Sequence, residues 1–383
     1  MSYLLLAFGL AALLTYLAIP VIITIATEKK LVDMPDARKV HKNPVPALGG
    51  IGIFGGFIIA TLLIWPNQLS SKISLDNLQY IIAASMIIFF LGMQDDVLII
   101  SPLKKFIGQL IAAWIIVYKC NLQIVDFQGV LGIHQVPNAV SLGVSYLCVV
   151  LIINSFNLID GIDGLSGNLA FICAVAFAVY FYSAGLNNIG YAIIAAALAG
   201  SLAAFLIFNH HPAKIFMGDT GSLLVGLINA VLLIKFISLS APKSRELLEP
   251  LYHLKGGPVV GLSFLFIPLF DTARVFALRI FKARSPFSPD RNHIHHILID
   301  KGLTHNRVTL ILASVALALI GITICTNFYC SATITLLVLV GTSTALFAIA
   351  YYAPNQKNIK PNSKKKPGDT NSRIVNMARN AMM

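Results

Sequence analysis

Charge is what this 383-residue chain has least of: Asp, Glu, Lys and Arg make up 11% of it, against about 25% in a soluble globular protein. So few charges cannot cover a water-facing surface, which excludes a soluble enzyme, a coiled coil and a disordered chain. Glu is scarcer still, at three residues (Glu28, Glu246, Glu249). The five cysteines lie in or beside apolar runs without a C-x-x-C pair, so they read as small packing residues, neither a disulfide framework nor a zinc site. No soluble domain and no convincing internal repeat is visible.

What fills the chain is hydrocarbon. Hydrophobic residues reach 57% and the mean hydropathy is +0.80, the composition of a polytopic membrane protein. Eleven apolar runs predict an all-α bundle of about eleven transmembrane helices, near 3–26, 49–66, 78–94, 103–118, 139–156, 168–185, 188–208, 219–240, 256–281, 308–327 and 331–351. The first lacks a basic leader and is too long for a signal peptide's core, so it reads as a retained anchor. Pro258 and Pro268 predict a kink in the ninth. Residues 1–352 form one transmembrane catalytic domain in this reading, and 353–383 a basic, disordered cytoplasmic tail.

The net charge of +12 reads as loops facing anionic headgroups, not as nucleic-acid binding. With the N-terminus outside and the C-terminus cytoplasmic, 22 of the 28 Lys and Arg fall inside, as the positive-inside rule requires. The same topology puts Asp95, Asp96, Asp160, Asp163 and Asp219 at helix ends on the inner face. Acids so close to lipid are costly and mark function. Clustered carboxylates need a cation or basic neighbours, and oxygen-rich sites suit Mg²⁺ shared with substrate phosphates. Basic residues lie nearby at Arg38, Lys39, Lys42, Lys104 and Lys105. Together they point to phosphoryl chemistry on an anionic or lipid-borne substrate.

Asn154, Asn157 and Asp160 are three apart and share a helix face. Phe216-Met-Gly-Asp219 opens a helix, whose free N–H groups favour phosphate. The string Asp290-Arg291-Asn-His293-Ile-His295-His296 suits phosphate donation and proton handling better than zinc, because no Cys is near. Asp271 and Arg274 read as a structural ion pair, and His210-His211 as an interfacial turn. A secondary transporter with Asp-based ion coupling is the rival of another class, but transporter sites lie near the bilayer midplane.

These residues carry a resemblance. Arg38-Lys-Val-His41, Pro46-Ala-Leu-Gly49-Gly50, Asp95-Asp96, Asn157-Leu-Ile-Asp160-Gly-Ile-Asp163-Gly, Phe216-Met-Gly-Asp219 and the His string occur in order between residues 30 and 310. The chain resembles the polyprenyl-phosphate N-acetylhexosamine-1-phosphate transferases. The Asp-Arg-x-His-Ile-His-His form is similar to the branch using UDP-GlcNAc, with phospho-muramoyl-pentapeptide transferase as the alternative branch. The resemblance implies transfer of GlcNAc-1-phosphate to undecaprenyl phosphate with release of UMP, at the cytoplasmic face of a bacterial inner membrane. It implies Mg²⁺, replaceable by Mn²⁺, on Asn157 and Asp219, and Asp95, Asp96 and His295 as catalytic residues. Nucleotide-sugar contacts fall to Asn154, Asp160, Asp163, Phe216 (stacking on uracil), Arg291, His293 and His296. Lipid-phosphate contacts fall to Arg38, His41, Lys104 and Lys105. Partners are the UDP-N-acetylhexosamine, undecaprenyl phosphate and membrane lipids; a homodimer is left open.

Overall fold

The computed structural model describes residues 1–33, 44–65, 75–98, 100–241, 254, 256–283 and 292–354. The basic tail, Arg38, His41 and Arg291 lie outside the described residues. Among the described residues, thirteen helices run α1 (Ser2–Glu28), α2 (Gly49–Ile64), α3 (Leu75–Leu98), α4 (Pro102–Trp114), α5 (Asn138–Ile159), α6 (Leu165–Ser183) and α7 (Ile189–Asn209). They continue as α8 (Gly218–Ser240), α9 (Gly257–Phe264), α10 (Phe266–Phe281), α11 (Ile294–Asp300), α12 (His305–Tyr329) and α13 (Ala332–Tyr352).

Every apolar run foreseen is helical, but the lengths differ. Eight described helices are long and apolar enough to cross a membrane, or nine if α9 and α10 form one broken span. The run 49–66 becomes a 16-residue helix, and the run 103–118 becomes α4 plus a wide π-type turn over Ile115–Lys119. The ninth run breaks by 86° at Leu265. Pro268 is the cause: it has no N–H for the carbonyl of Phe264, four residues earlier. That carbonyl instead accepts the Cys173 thiol of α6, so one cysteine read as mere packing also fills a broken helix bond.

Two antiparallel hairpins were not foreseen. β1 (Val32–Asp33) pairs with β2 (Val45–Pro46), and β3 (Asp126–Val130) with β4 (Ile133–Gln135). The second caps the bundle end where α5 begins and α8 stops.

Burial follows the lipid-facing logic of membrane helices. On α1, Ala7, Ala11, Thr15 and Ile19 recur every four residues and are buried, while Leu5, Leu6, Leu13 and Leu17 are exposed. Small residues face protein and large apolar ones face lipid. Thr15 Oγ1 donates to Gly52 O of α2 at 3.1 Å. The centre is α7 and α8, both enclosed on nearly all sides; α7 packs on α1, α2 and α6, and α8 on α2, α3, α5 and α9.

Candidate active site

The site is built at the bundle end where α3 and α5 finish and α4 and α8 begin. Backbone contacts fix the frame first. Phe216 N–H donates to Pro46 O at 2.8 Å, and Gly49 and Gly50 N–H donate to Phe216 O and Met217 O, each at 2.9 Å. Two motifs far apart in sequence are thereby one backbone zipper. On α3, Gly92 lets the helix approach Thr220, where a Cβ would lie 2.5 Å from its Cα. Asp96, one turn on, then reaches the start of α8. Its carboxylate accepts Asp219 N–H at 2.7 Å, Thr220 N–H at 2.9 Å and Thr220 Oγ1 at 2.6 Å. Asp96 therefore caps α8 from another helix, satisfying donors that a helix start leaves open.

Its neighbour faces the other way. Asp95 accepts Ile100 N–H at 2.8 Å and Lys105 Nζ at 3.0 Å. Lys105 also pairs with Asp219 and reaches Asn157 Oδ1 at 3.4 Å. Asn157 Nδ2 donates to Asp219 Oδ1 at 2.7 Å and Ser222 Oγ at 3.0 Å. Three oxygen-bearing side chains from three helices thus converge on one ammonium. A set that gathers a cation through two carboxylates and an amide oxygen also fits Mg²⁺, a hard ion that prefers oxygen donors.

This cluster opens into a cleft of about 720 Å³. It is lined by Asp95, Lys105, Gln109, Asn154 and Asn157 from α3, α4 and α5, by Gly161 just after α5, and by Phe276, Arg279, His293, His295 and His296 from α10 and the start of α11. Gln109 and Asn154 bond each other at 2.7 and 3.3 Å. The imidazoles are positioned by Asp271, which accepts His293 Nδ1 at 2.8 Å, Ile294 N–H at 3.0 Å and Arg274 Nη2 at 2.7 Å. The Asp271–Arg274 ion pair is present as read from sequence, and it also starts α11. His295 stacks near His293 with centroids 5.8 Å apart. It is 1% exposed and neither ring nitrogen has a hydrogen-bond partner. Burial, with His296 beside it, pushes its pKa down to about 3, so it enters the cleft as neutral imidazole. Gly161 makes room for it: a Cβ there would meet His295 Nε2 at 2.3 Å.

The remaining expected residues divide. Asp160 is half-buried just after α5. Burial first, then the Asp219 and Asp96 carboxylates, push its carboxyl up to about 8. Lys104 is exposed, and Phe216 is half-buried and not among the cleft-lining residues. Asp163 turns away from the cleft, 2.6 Å from His211 Nδ1 and 3.3 Å from His305 Nδ1. Burial opposes its ionisation, but the two imidazoles and Ala213 N–H outweigh it and hold the carboxyl below the usual range. Sequence reasoning missed Gln109, Ser222 and Thr220, and saw Arg279 only as the first cation of a basic inner-face loop, 279–307. Gln109 carried a signal, four residues beyond Lys105 on the same helix face.

Residues 78–237 match the glycosyl transferase family 4 profile. A decaprenyl-phosphate N-acetylglucosaminephosphotransferase of Mycobacterium leprae is 32% identical over 318 residues, covering 79% of this chain and 78% of the relative. The chain belongs to glycosyl transferase family 4. A probable undecaprenyl-phosphate N-acetylglucosaminyl 1-phosphate transferase of Bacillus subtilis is 34% identical over 315 residues, 79% of each chain. An undecaprenyl-phosphate alpha-N-acetylglucosaminyl 1-phosphate transferase of Yersinia pestis is 30% identical over 309, 78% of each. The family resemblance read from the motifs is therefore correct, and these matches cover about four-fifths of the chain.

Proposed function

We propose that this chain transfers GlcNAc-1-phosphate from UDP-GlcNAc to undecaprenyl phosphate, releasing UMP and starting a cell-surface polysaccharide. The observation that carries this is one cleft lined both by Asp95, Asn157 and Lys105, with Asp219 bonded to the last two from behind, and by Arg279 and three histidines. Oxygen-rich and basic groups lining one cleft suit two phosphate-bearing substrates, and the names of the relatives agree.

Asp219 and Asn157 would hold Mg²⁺ or Mn²⁺, with Asp95 beside them. Bound there, the ion supplies charge neutralisation for the donor diphosphate and the departing UMP. Asp95, not the helix-capping Asp96, faces the cleft and is the carboxylate we assign to orient or deprotonate the lipid phosphate. Lys105 attracts that phosphate and pairs with the Asp95 carboxylate at 3.0 Å. Asn154, His293 and His296 position the nucleotide sugar, and neutral His295 donates a hydrogen bond without adding charge. Asp160 supports the same wall from the post-α5 loop. We place the cleft at the cytoplasmic face of an inner membrane, with N-out, C-in topology from the 22 inner basic residues, and count α2 and the extended α4 as short spans to reach eleven.

The test is direct. Purified protein with Mg²⁺, undecaprenyl phosphate and a panel of UDP-sugars should release UMP with UDP-GlcNAc and form the lipid-diphospho-sugar. Turnover confined to UDP-MurNAc-pentapeptide, or none with any UDP-sugar, would overturn the assignment. Topology is checked by cysteine labelling in intact cells, which should reach position 246 from outside and not position 163.

A further inference from the structure

The one His/Asp cluster among the described residues that lies outside the cleft is Asp163, His211 and His305. Each offers one ligand atom, and these atoms all lie within 4.8 Å of one another. They come from three separate segments: the loop joining α5 to α6, the loop joining α7 to α8, and the first residue of α12. His211 Nδ1 is 2.6 Å and His305 Nδ1 is 3.3 Å from the two oxygens of the one carboxylate. The rings lie 4.9 Å apart by centroid.

Two features set this cluster apart from an ordinary ion-paired loop. His305 is nine-tenths buried, and its Nδ1, aimed at Asp163, makes no hydrogen bond of good geometry. A buried imidazole nitrogen held only by a long, poorly aligned contact is incompletely satisfied. His211, by contrast, leaves nearly half its side chain exposed, which gives an entry path and a position for water. Outer contacts hold Asp163: Ala213 N–H donates to its carboxylate Oδ2 at 3.3 Å, and Thr309 Oγ1 donates to its backbone carbonyl at 3.0 Å. His210, next to His211, is held at 3.0 Å by Asn168 instead.

We propose that Asp163, His211 and His305 form a transition-metal site of the Zn²⁺ class, separate from the magnesium wall, that pins the three loops together. The donor chemistry separates the two sites. Two imidazoles and one carboxylate suit Zn²⁺ or Co²⁺ and not Mg²⁺, whereas the Asp95–Asn157–Asp219 set has only oxygen donors. Tetrahedral Zn²⁺ with bonds of about 2.0–2.1 Å separates its ligands by roughly 3.4 Å. The present separations, from 2.6 Å to at most 4.8 Å, bracket that spacing, and water would be the fourth ligand. The pinned loop also carries Asp160 and Gly161, so the ion would fix the cleft wall against which His295 rests.

The full chain in detergent would be stripped with chelator, then dialysed against Zn²⁺ or Co²⁺ in a large excess of Mg²⁺. About one equivalent should remain per chain, with the strong visible absorption of tetrahedral Co²⁺. His211→Ala and His305→Gln should each weaken retention by about 10²-fold or more, since even outer-shell changes cost 10–100-fold. His295→Asn should leave retention unchanged. No retained metal, retention that survives both variants, or loss seen only with His295→Asn would overturn the proposal. If His305→Gln does not fold, as judged by its elution profile, His211→Ala on the exposed side decides alone.

Discussion

The two ends of the bundle treat buried polar groups in opposite ways. Where α5 begins and α8 stops, Gln128 Nε2 donates to Ile237 O and Ser240 Oγ, each at 3.0 Å, and its Oε1 accepts Gly257 N–H at 3.1 Å. Asn327 Oδ1 takes Gly256 N–H at 2.8 Å, and Thr333 Oγ1 takes Leu131 N–H at 2.9 Å. These bonds close the β3–β4 hairpin onto α8, α9 and α13, and tie the start of α9 to α12. At the other end two carboxylates and an amide oxygen crowd one ammonium, Asp160 is pushed toward its neutral form, and the ring nitrogens of His295 are buried with no hydrogen-bond partner. A network that is neutral and nearly complete holds a fold. One left crowded and partly unpaired is waiting for a ligand.

The sharpest break in that comparison is at Asp219. Asp219→Asn should reduce UMP release to background, a loss of about 10³-fold or more for removing charge stabilisation of the transition state. Chelator should silence the wild type, and Mg²⁺ or Mn²⁺ should restore it. Next comes the Asp pair. Asp95→Asn should cost about 10²–10⁴-fold in turnover with little change in nucleotide affinity, the scale of a lost general base. Asp96→Asn should instead lower thermal stability first, by about 1–3 kcal/mol for charge-assisted bonds to the start of α8. Equal kinetics and equal melting for both variants would erase the distinction drawn between them.

Gly161→Ala should then cost up to about 10²-fold, because its methyl displaces His295 by a sizeable fraction of an ångström. Stability tells the same story through pH. The unfolded chain protonates His295 below about 6.5, while the folded chain resists until about 3. Folding stability should therefore fall as pH drops from 6.5, by about 1.4 kcal/mol per unit for this group. His295→Asn should flatten that slope in a melting series. The smallest kinetic effect belongs to the closed end: Gln128→Ala should lower the melting temperature while leaving turnover per folded molecule within about twofold. It takes the acceptor from the buried Gly257 N–H and a donor from Ile237 O and Ser240 Oγ, a loss of about 1–3 kcal/mol, without touching the cleft.

Much of this was legible in the chain itself. An acid beside hydrocarbon announces itself by cost, so Asp95, Asp96, Asp160, Asp163 and Asp219 could be found without coordinates. Helices were visible for the same reason. What could not be read was partnership. That Asp96 caps α8, and that Asp163 turns to His211 and His305, depends on segments far apart in sequence. Arg279 looked like one more inner-face cation until α10 broke away at Leu265 and carried it to the cleft. Hairpin β3–β4 hid in a stretch too short and mixed for a period-two pattern, although Gly129 and Gly132 marked its turn.

The contact of α3 with α8 constrains how such a gene can change. Gly92 sets the closeness of the helices and Asp96, four residues later, uses it. Substitution within the intervening Met93-Gln94-Asp95 leaves that phase intact. A single inserted or deleted codon does not: it turns everything beyond it by about 100°, swinging the Asp96 carboxylate off α8 and the Asp95 carboxylate out of the cleft together. Length in this short stretch should therefore tolerate less drift than the identity of any one residue in it, and a library of insertions along α3 would show the hole.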